Sequence, residues 1–250
     1  MRIFLILLRR ELGAFFVSLT GYFIIAAIAF LTGGGFAQLI DDLRNEPWSM
    51  PVTQMFFKSV YFWMIMLLAA PVMTMRLFSL EKSTGTFETL MTAPVNDLQI
   101  VAAKFTAAVI FFMVAWLPLA VCLYAVSRFT NQAHALDWGI VGGMYLGVFL
   151  AGVLFLSFGC LASALTRSQM AAAAFSLAFG VIQLFLTWWA INHPASDRWQ
   201  SQFLTRFNLF DQMDDFARGT VDTRAVIFYV SLSFFFLFLT LRVVESRRWK

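Results

Sequence analysis

Long apolar runs alternate with short polar breaks along this chain, and the runs have the length that a bilayer demands. Roughly 20 apolar residues as a helix cross a hydrocarbon core of about 30 Å. Runs of that kind occupy residues 13–40, 55–75, 105–127, 138–166, 170–191 and 225–241. The first is longer than one crossing needs. The second has only 17 charge-free residues, Ser59 to Met75, bounded by Lys58 and Arg76, whose long stems suit snorkelling toward the interfaces. Pro71 and Pro118 predict bends in the second and third runs. The pattern predicts an all-α polytopic membrane protein, six transmembrane helices in a single domain over residues 1–250.

The polar breaks carry the remaining local signals. Asp41–Lys58 reads as a polar loop. In the break from Met75 to Val95, Arg76, Glu81, Lys82 and Glu88 must stand outside the hydrocarbon, because a charge at the centre of a spanning helix costs roughly 2.5–3.5 kcal/mol on insertion scales. Gly85 lets the chain turn there, and Glu88 places a carboxylate near a helix start. Phe87, Leu90 and Met91 fall on one helical face, and Pro94 ends the helix. Asn96 then suits an N-cap with Gln99 as its capping-box partner, and Val95 with Ile100 forms a hydrophobic staple. Lys104 stands as an anchor where the third span begins. In the longest break, 192–224, Phe203, Phe207, Phe210, Met213 and Ala217 predict an amphipathic helix at the membrane surface, with Gly219 as its stop and Asp222 as the next N-cap. Gly139, Gly143, Gly147 and Ala151 recur every four residues, a small-residue face that permits close helix packing with a partner in this chain or in another. Gly33–Gly35 suits either close packing or a fraying helix end.

Composition agrees with the pattern. The chain is 60% hydrophobic and 13% charged, with 30 Phe, too apolar for a water-soluble domain of 250 residues. Its net charge of +4 does not indicate nucleic acid, since the cations sit at helix ends rather than on a soluble patch. With six spans both ends of the chain share one side. That side holds eleven Lys and Arg against seven on the other, which makes it cytoplasmic. Ala27-Ile28-Ala29 has the look of a signal cleavage site, but apolar character continues past it, so a retained helix is expected.

The run Met75-Arg76-Leu77, then Glu81-Lys82-Ser83-Thr84-Gly85-Thr86-Phe87-Glu88-Thr89-Leu90-Met91-Thr92-Ala93-Pro94-Val95, followed by Lys104, resembles the first cytoplasmic loop of ABC-2-type transporter permeases. The subgroup it is most similar to contains the gliding-motility permease and the permease of the nitrous oxide reductase maturation system. Thr166-Arg167-Ser168-Gln169 and Phe216–Thr223 carry the likeness further along the chain. The resemblance implies that the first loop is a coupling helix docking into an ATPase, with Arg76, Glu81, Lys82, Gly85, Thr86, Phe87, Glu88, Leu90 and Pro94 as its residues. It implies short external helices before the last span. It also implies a P-loop ATPase subunit in trans that binds the ATP and Mg, a second permease copy or paralogue, and the bacterial inner membrane with both termini cytoplasmic. A mechanical role, driving an external accessory protein without moving a solute, is the second function open to such a chain.

Catalytic constellations do not appear. There is no G-x-x-x-x-G-K-[ST] phosphate loop, no H-E-x-x-H and no G-x-S-x-G. Cys122 and Cys160 lie inside apolar runs, and His134 and His193 border polar loops far apart in sequence, so neither a metal site nor a cofactor site is expected. The reading is a transport subunit without its own ATPase, and the sequence does not name its substrate.

Overall fold

The computed structural model describes residues 2–45, 52–88, 95–129, 138–192 and 208–246. Among them every regular element is a helix: α1 (Arg2–Phe16), α2 (Leu19–Asn45), α3 (Val52–Lys58), α4 (Val60–Thr74), α5 (Ser79–Thr84), α6 (Asp97–Ala115), α7 (Leu117–Phe129), α8 (Trp138–Leu165), α9 (Gln169–Asn192), α10 (Leu209–Ala217) and α11 (Thr223–Ser246). Six stretches are long and apolar enough to cross a membrane, with α6 and α7 together making the third.

Several boundaries differ from the apolar runs, each for a local reason. The first run is two elements. Ser18 breaks it: its hydroxyl donates to the Phe15 carbonyl at 3.1 Å and accepts from the Gly21 N–H at 3.1 Å, so it ends α1 and caps α2. A Cβ on Gly21 would stand 3.0 Å from the Phe15 carbonyl carbon and closer still to its oxygen, so only glycine fits this turn. The supposed loop Asp41–Lys58 is helical at both described ends, because α2 continues through Asn45 and α3 begins at Val52. Ser59, whose hydroxyl accepts from the Phe62 N–H, starts the second span several residues later than the run's apolar edge. Lys58 does not snorkel alone. Its ammonium lies 3.5 Å from Asp214 on α10.

Pro118 acts as expected, but the break falls at Trp116. Pro cannot donate to the carbonyl four residues back and disfavours helix in the residue before it. The Trp116 carbonyl accepts instead from the Leu119 N–H at 3.1 Å and from the Tyr145 hydroxyl at 3.2 Å. Pro71 sits inside α4 and its carbonyl still accepts from Met75. Asn96 occupies the N-cap position of α6, yet its side chain makes no capping bond; its carbonyl accepts from Gln99 and Ile100. The predicted stops at Thr166–Ser168 and Gly219 and the start at Asp222, whose carboxylate accepts from the Arg224 N–H at 2.8 Å, stand as read.

Helix α8 is the centre of the bundle. It packs on α11, α9, α4, α10 and α6, and is the most buried of the six spans. Its small residues make this possible. A Cβ on Gly152 would meet the Phe112 ring at 2.7 Å (Cζ), and one on Gly159 would meet Thr74 Cβ at 2.8 Å and Ser176 Oγ at 3.0 Å. In a membrane, where lipid is as apolar as leucine, such close approach supplies much of the packing energy. Gly35 plays the same part on α2, where a Cβ would crowd Tyr61 at 3.0 Å; Gly33–Gly35 lie well inside a continuous helix rather than at a frayed end.

Two apolar clusters result. The larger fills the bundle from α2 to α11. The smaller lies at one end and gathers Leu77, Phe78, Phe87, Ile100, Val101, Ala108, Cys160, Ala164 and Val244, with Leu7 and Val95 against it. Helix α1, 15 residues long, is not one of the six candidate spans. It packs on α6, with Phe15 stacked on Phe111 at 4.8 Å.

These contacts predict that Gly159→Val and Gly152→Leu sharply lower the yield of folded, monodisperse protein in detergent. Gly142→Ala, where a Cβ meets nothing within 4 Å, should be neutral or raise the melting temperature slightly, since alanine exceeds glycine in helix propensity by about 0.8–1 kcal/mol. Size-exclusion profiles and thermal unfolding of the three variants check this.

Candidate functional site

The segment after α4 is built on hydrogen bonds to the end of α8. Residues 75–78 form a turn, and the Ser163 hydroxyl on α8 accepts the Phe78 and Ser79 N–H groups at 3.0 and 3.2 Å. Those two N–H groups belong to the start of α5 and have no intrahelical partner. Ser79 itself donates to the Met75 carbonyl, and the Lys82 ammonium donates to the Ala164 carbonyl near the C-terminus of α8, where a cation is favoured. Lys82 also stands 5.3 Å from the centre of the Phe87 ring.

Beneath α5 lies a buried ion network. The Lys104 ammonium donates to Glu81 Oε1 at 2.8 Å and to Glu11 Oε1 at 3.1 Å. Arg10 donates to the same two oxygens, at 3.1 Å on Glu81 and 2.6 Å on Glu11. The Lys104 side chain is only 3% exposed, against 11% for Glu11 and 18% for Glu81. The position read as an interfacial anchor is therefore two turns inside α6 and packed, with Phe78 at 5.5 Å over its charge. Two cations and two carboxylates balance. Burial pulls the Arg10 guanidinium down, but the hydrogen bonds and charges of Glu11 and Glu81 outweigh it and hold the group above its ordinary value. The network ties three elements together: α1, α5 and α6.

The turn that follows is Gly85, with φ at +76°. It ends α5 in the left-handed conformation that glycine adopts without steric cost. Residues 86–88 are helical again, so the predicted helix after Gly85 does begin, preceded by a second short helix that the sequence did not announce. Leu90, Met91 and Pro94 lie outside the described residues. Of the residues in this segment, Leu80, Ser83, Thr84, Gly85, Thr86 and Glu88 are exposed, whereas Phe87 is buried in the smaller cluster. Arg76 is exposed too, but its guanidinium turns to the start of α2, donating to Thr20 Oγ1 at 3.2 Å.

The comparisons with known proteins bear on this arrangement. The family model described as "ABC-2 family transporter protein" matches residues 12–196, most of the chain and all of the segment just described. The chain belongs to the ABC-2 transporter family. None of the curated proteins compared with the permease matches it. As a family member it is a multi-pass membrane protein and a permease subunit of an ABC transporter.

The opposite end of the permease is closed by α3 and α10. Asp214 on α10 accepts from Gln54 Nε2 at 2.6 Å, pairs with Lys58 on α3, and accepts from Arg218 at 2.6 Å. Thr53 donates to the Ala217 carbonyl at 3.1 Å. Asn208 caps the start of α10, and the end is a Schellman motif: Gly219 N–H to Phe216 carbonyl at 3.1 Å and Thr220 N–H to Asp215 carbonyl at 3.0 Å, with Gly219 at φ +79°. Rather than lying on lipid as an interfacial helix, α10 buries Leu209, Met213, Phe216 and Ala217 against the bundle. Its docking site is the small-residue stripe of α8. A Cβ on Gly143 would stand 2.8 Å from the Phe216 carbonyl oxygen, and one on Gly147 would stand 3.0 Å from Phe216 Cβ. Ala151 is buried below them, and Gly139 lies in the first turn of the same helix. The stripe thus meets a partner within this chain. Phe203, Phe207, His134 and His193 lie outside the described residues, and the described ones hold no His, Cys, Asp and Glu group able to bind a metal.

Sequence reading missed Glu11 and Arg10 as partners of Glu81 and Lys104. The one signal was the presence of acidic residues at interfacial positions whose neighbours are otherwise cations.

Lys104→Ala should lower stability by about 3 kcal/mol or more, since it leaves Glu11 and Glu81 sharing Arg10 alone in a desolvated site. The double variant Lys104→Ala, Glu81→Gln should recover part of that loss, because removing both partners ends the uncompensated charge. Thermal unfolding in detergent measures both.

On α10, burial raises the Asp215 carboxyl above its ordinary value, with Asp214, Asp211 and Asp222 adding to the rise and Arg218 opposing it. Ionised Asp215 therefore costs the folded state. The stability of the protonated form is present below the ordinary carboxylate value and lost as pH rises through the raised one. Asp215→Asn should raise the melting temperature at neutral pH, and the gain over wild type should shrink as pH falls through the raised value and be lost below the ordinary carboxylate value.

Proposed function

We propose that the permease couples ATP hydrolysis by a separate P-loop ATPase subunit to outward movement of a substrate, and that residues 80–88 are where the two subunits meet. One observation supports this above the rest: an exposed strip, Leu80 and Ser83–Thr86 with Glu88, stands on a base that is locked to three other helices by buried ion pairs and by Ser163. A loop meant only to connect α4 to α6 needs no such base. A lever does, because force passes between sites through rigid elements that have discrete packings. Arg76, Glu81, Lys82 and Phe87 hold the base, and Gly85, Thr86 and Glu88 offer the contact face. Leu90 and Pro94 continue the segment.

In this reading ATP and Mg²⁺ are bound by the ATPase, two permease copies or related permeases assemble with two ATPases, and the docking end faces the cytoplasm of the bacterial inner membrane. The excess of eleven basic residues over seven supports that orientation.

Gly85→Val and Glu88→Lys test the docking face. Nothing lies within 4 Å of a Cβ on Gly85, so valine there acts through backbone strain alone, not through a clash. Glu88→Lys reverses a charge at a helix start, a change worth roughly 0.3–1 kcal/mol at the helix itself and more if it meets a cation on the partner. Both variants should express and insert normally while losing ATPase co-purification or ATPase stimulation by substrate. Asp42→Lys, at the far end of α2, should leave both at wild-type levels. Wild-type complex formation and coupling in the two docking variants would falsify the assignment.

A further inference from the structure

A cavity of about 770 Å³ opens beside the ion network, between the end of α1, the first turns of α2 and the last turn of α4. That volume falls in the range of ligand sites, roughly 300–1,000 Å³. Its walls are apolar: Phe23 and Ile24 from α2, Val72 and Met73 from α4. Phe23 and Val72 are exposed on spanning helices, so the cavity is continuous with the hydrocarbon. Its polar end is chemically specific. Five charged residues line it, Arg10, Glu11, Arg76, Glu81 and Lys104. Four of them neutralise one another in the network. Arg76 is the exception. It forms no ion pair among the described residues, and its guanidinium makes one hydrogen bond, to Thr20. One uncompensated cation therefore stands just past the end of α4, level with the start of α2, where a span leaves the hydrocarbon.

We infer that this cavity holds one anionic phospholipid, its phosphodiester on Arg76 and its acyl chains along the wall formed by α2 and α4. A guanidinium has five donors and pairs with phosphate through two parallel bonds, so Arg76 retains capacity beyond Thr20. A free phosphate would satisfy Arg76 but leave the apolar walls uncovered; a zwitterionic lipid would cover the walls but bring its own cation beside Arg76, leaving the charge of the site uncompensated. Only an anion with an apolar tail does both, which is the logic of basic pockets between spanning helices. The cavity takes the headgroup region and the first part of the chains, and the chains run out past Phe23 into the bilayer. The lipid fills the wedge between α1 and α4 next to the ion network. The inference needs only the membrane placement of α2 and α4, so loss of ATPase docking would leave it standing.

The test uses the full chain in detergent, equilibrated with equal amounts of phosphatidylglycerol and phosphatidylcholine of identical acyl chains and read by native mass spectrometry. Wild type should retain phosphatidylglycerol preferentially. Arg76→Gln should cut that retention about tenfold, as expected for loss of a charge-assisted contact, and lower the weak phosphatidylcholine signal less, so that the preference between the two lipids is lost. Val72→Trp, which fills the cavity and keeps Arg76, should also displace the lipid, while excess inorganic phosphate should not. Equal retention of the two lipids by wild type, or an Arg76→Gln variant that binds like wild type, would overturn the inference. So would complete displacement by inorganic phosphate, which would make this a plain anion site.

Discussion

The burial of one ammonium group organises the end of this permease where α1, α5 and α6 meet. Lys104 lies inside the start of the third span, shielded almost completely from solvent, where an unpaired ammonium would cost several kcal/mol. It pairs with two carboxylates that come from distant parts of the chain, Glu11 on α1 and Glu81 on α5. Each carboxylate in turn needs more than one cation to be content out of water, and Arg10 supplies the second for both. Glu11 Oε1 and Glu81 Oε1 meet both cations when α1, α5 and α6 stand in this arrangement, while Glu81 Oε2 is buried without a hydrogen-bond partner. Apolar packing of Phe15 on Phe111 and of Phe78 over Lys104 would tolerate slippage; the ion network does not.

The rest of the bundle follows a different rule. Without water inside the membrane, helices gain little from hydrophobic burial against each other and depend on close contact instead. α8 provides it by carrying small residues on more than one face. Gly143 and Gly147 admit α10, Gly152 admits the Phe112 ring, and Gly159 admits Thr74. A central helix with ordinary side chains at these four positions would hold its neighbours apart and leave voids that lipid cannot fill.

Periodicity made the six spans legible, because the energetic penalty for a misplaced charge in hydrocarbon is large enough to write itself into composition. Glycine and aspartate signals also worked where the chemistry is local: Gly85 and Gly219 do adopt positive φ, and Asp222 does cap α11. What escaped was whatever depended on tertiary partners. The Ser18 break is invisible in an apolar run because Ser-x-Thr-Gly is too mild to interrupt hydropathy. Lys104 read as an anchor because its two carboxylates are 93 and 23 residues away. The small-residue stripe was readable as a packing face, but its occupant, Phe216 on α10, is an element whose amphipathicity looked like lipid contact. An apolar face does not say whether lipid or protein will cover it.

The two ends of the permease share α8, which joins them as one continuous helix. Ser163 binds the start of α5, while Gly147, sixteen residues earlier on the same helix, carries Phe216 of α10. Sixteen residues of α-helix span about 24 Å without a hinge, and the segment between them is continuous helix with no proline. A displacement of α5 must therefore do one of two things. It breaks the Ser163 and Lys82 bonds to α8, leaving the Phe78 and Ser79 N–H groups and the Ala164 carbonyl unpaired in a buried site, or it carries α8 with it. The first costs several hydrogen bonds at once in a place water does not reach. The second moves α10 against α3, where Asp214 holds Gln54 and Lys58 and the Thr53 hydroxyl donates to the buried Ala217 carbonyl. The half-exposed Lys58 can exchange a carboxylate for water at small cost, but Thr53 and Gln54 are buried and their bonds are not exchanged so cheaply. Both ends therefore include buried hydrogen bonds, between Ser163 and the start of α5 and between Thr53 and the end of α10.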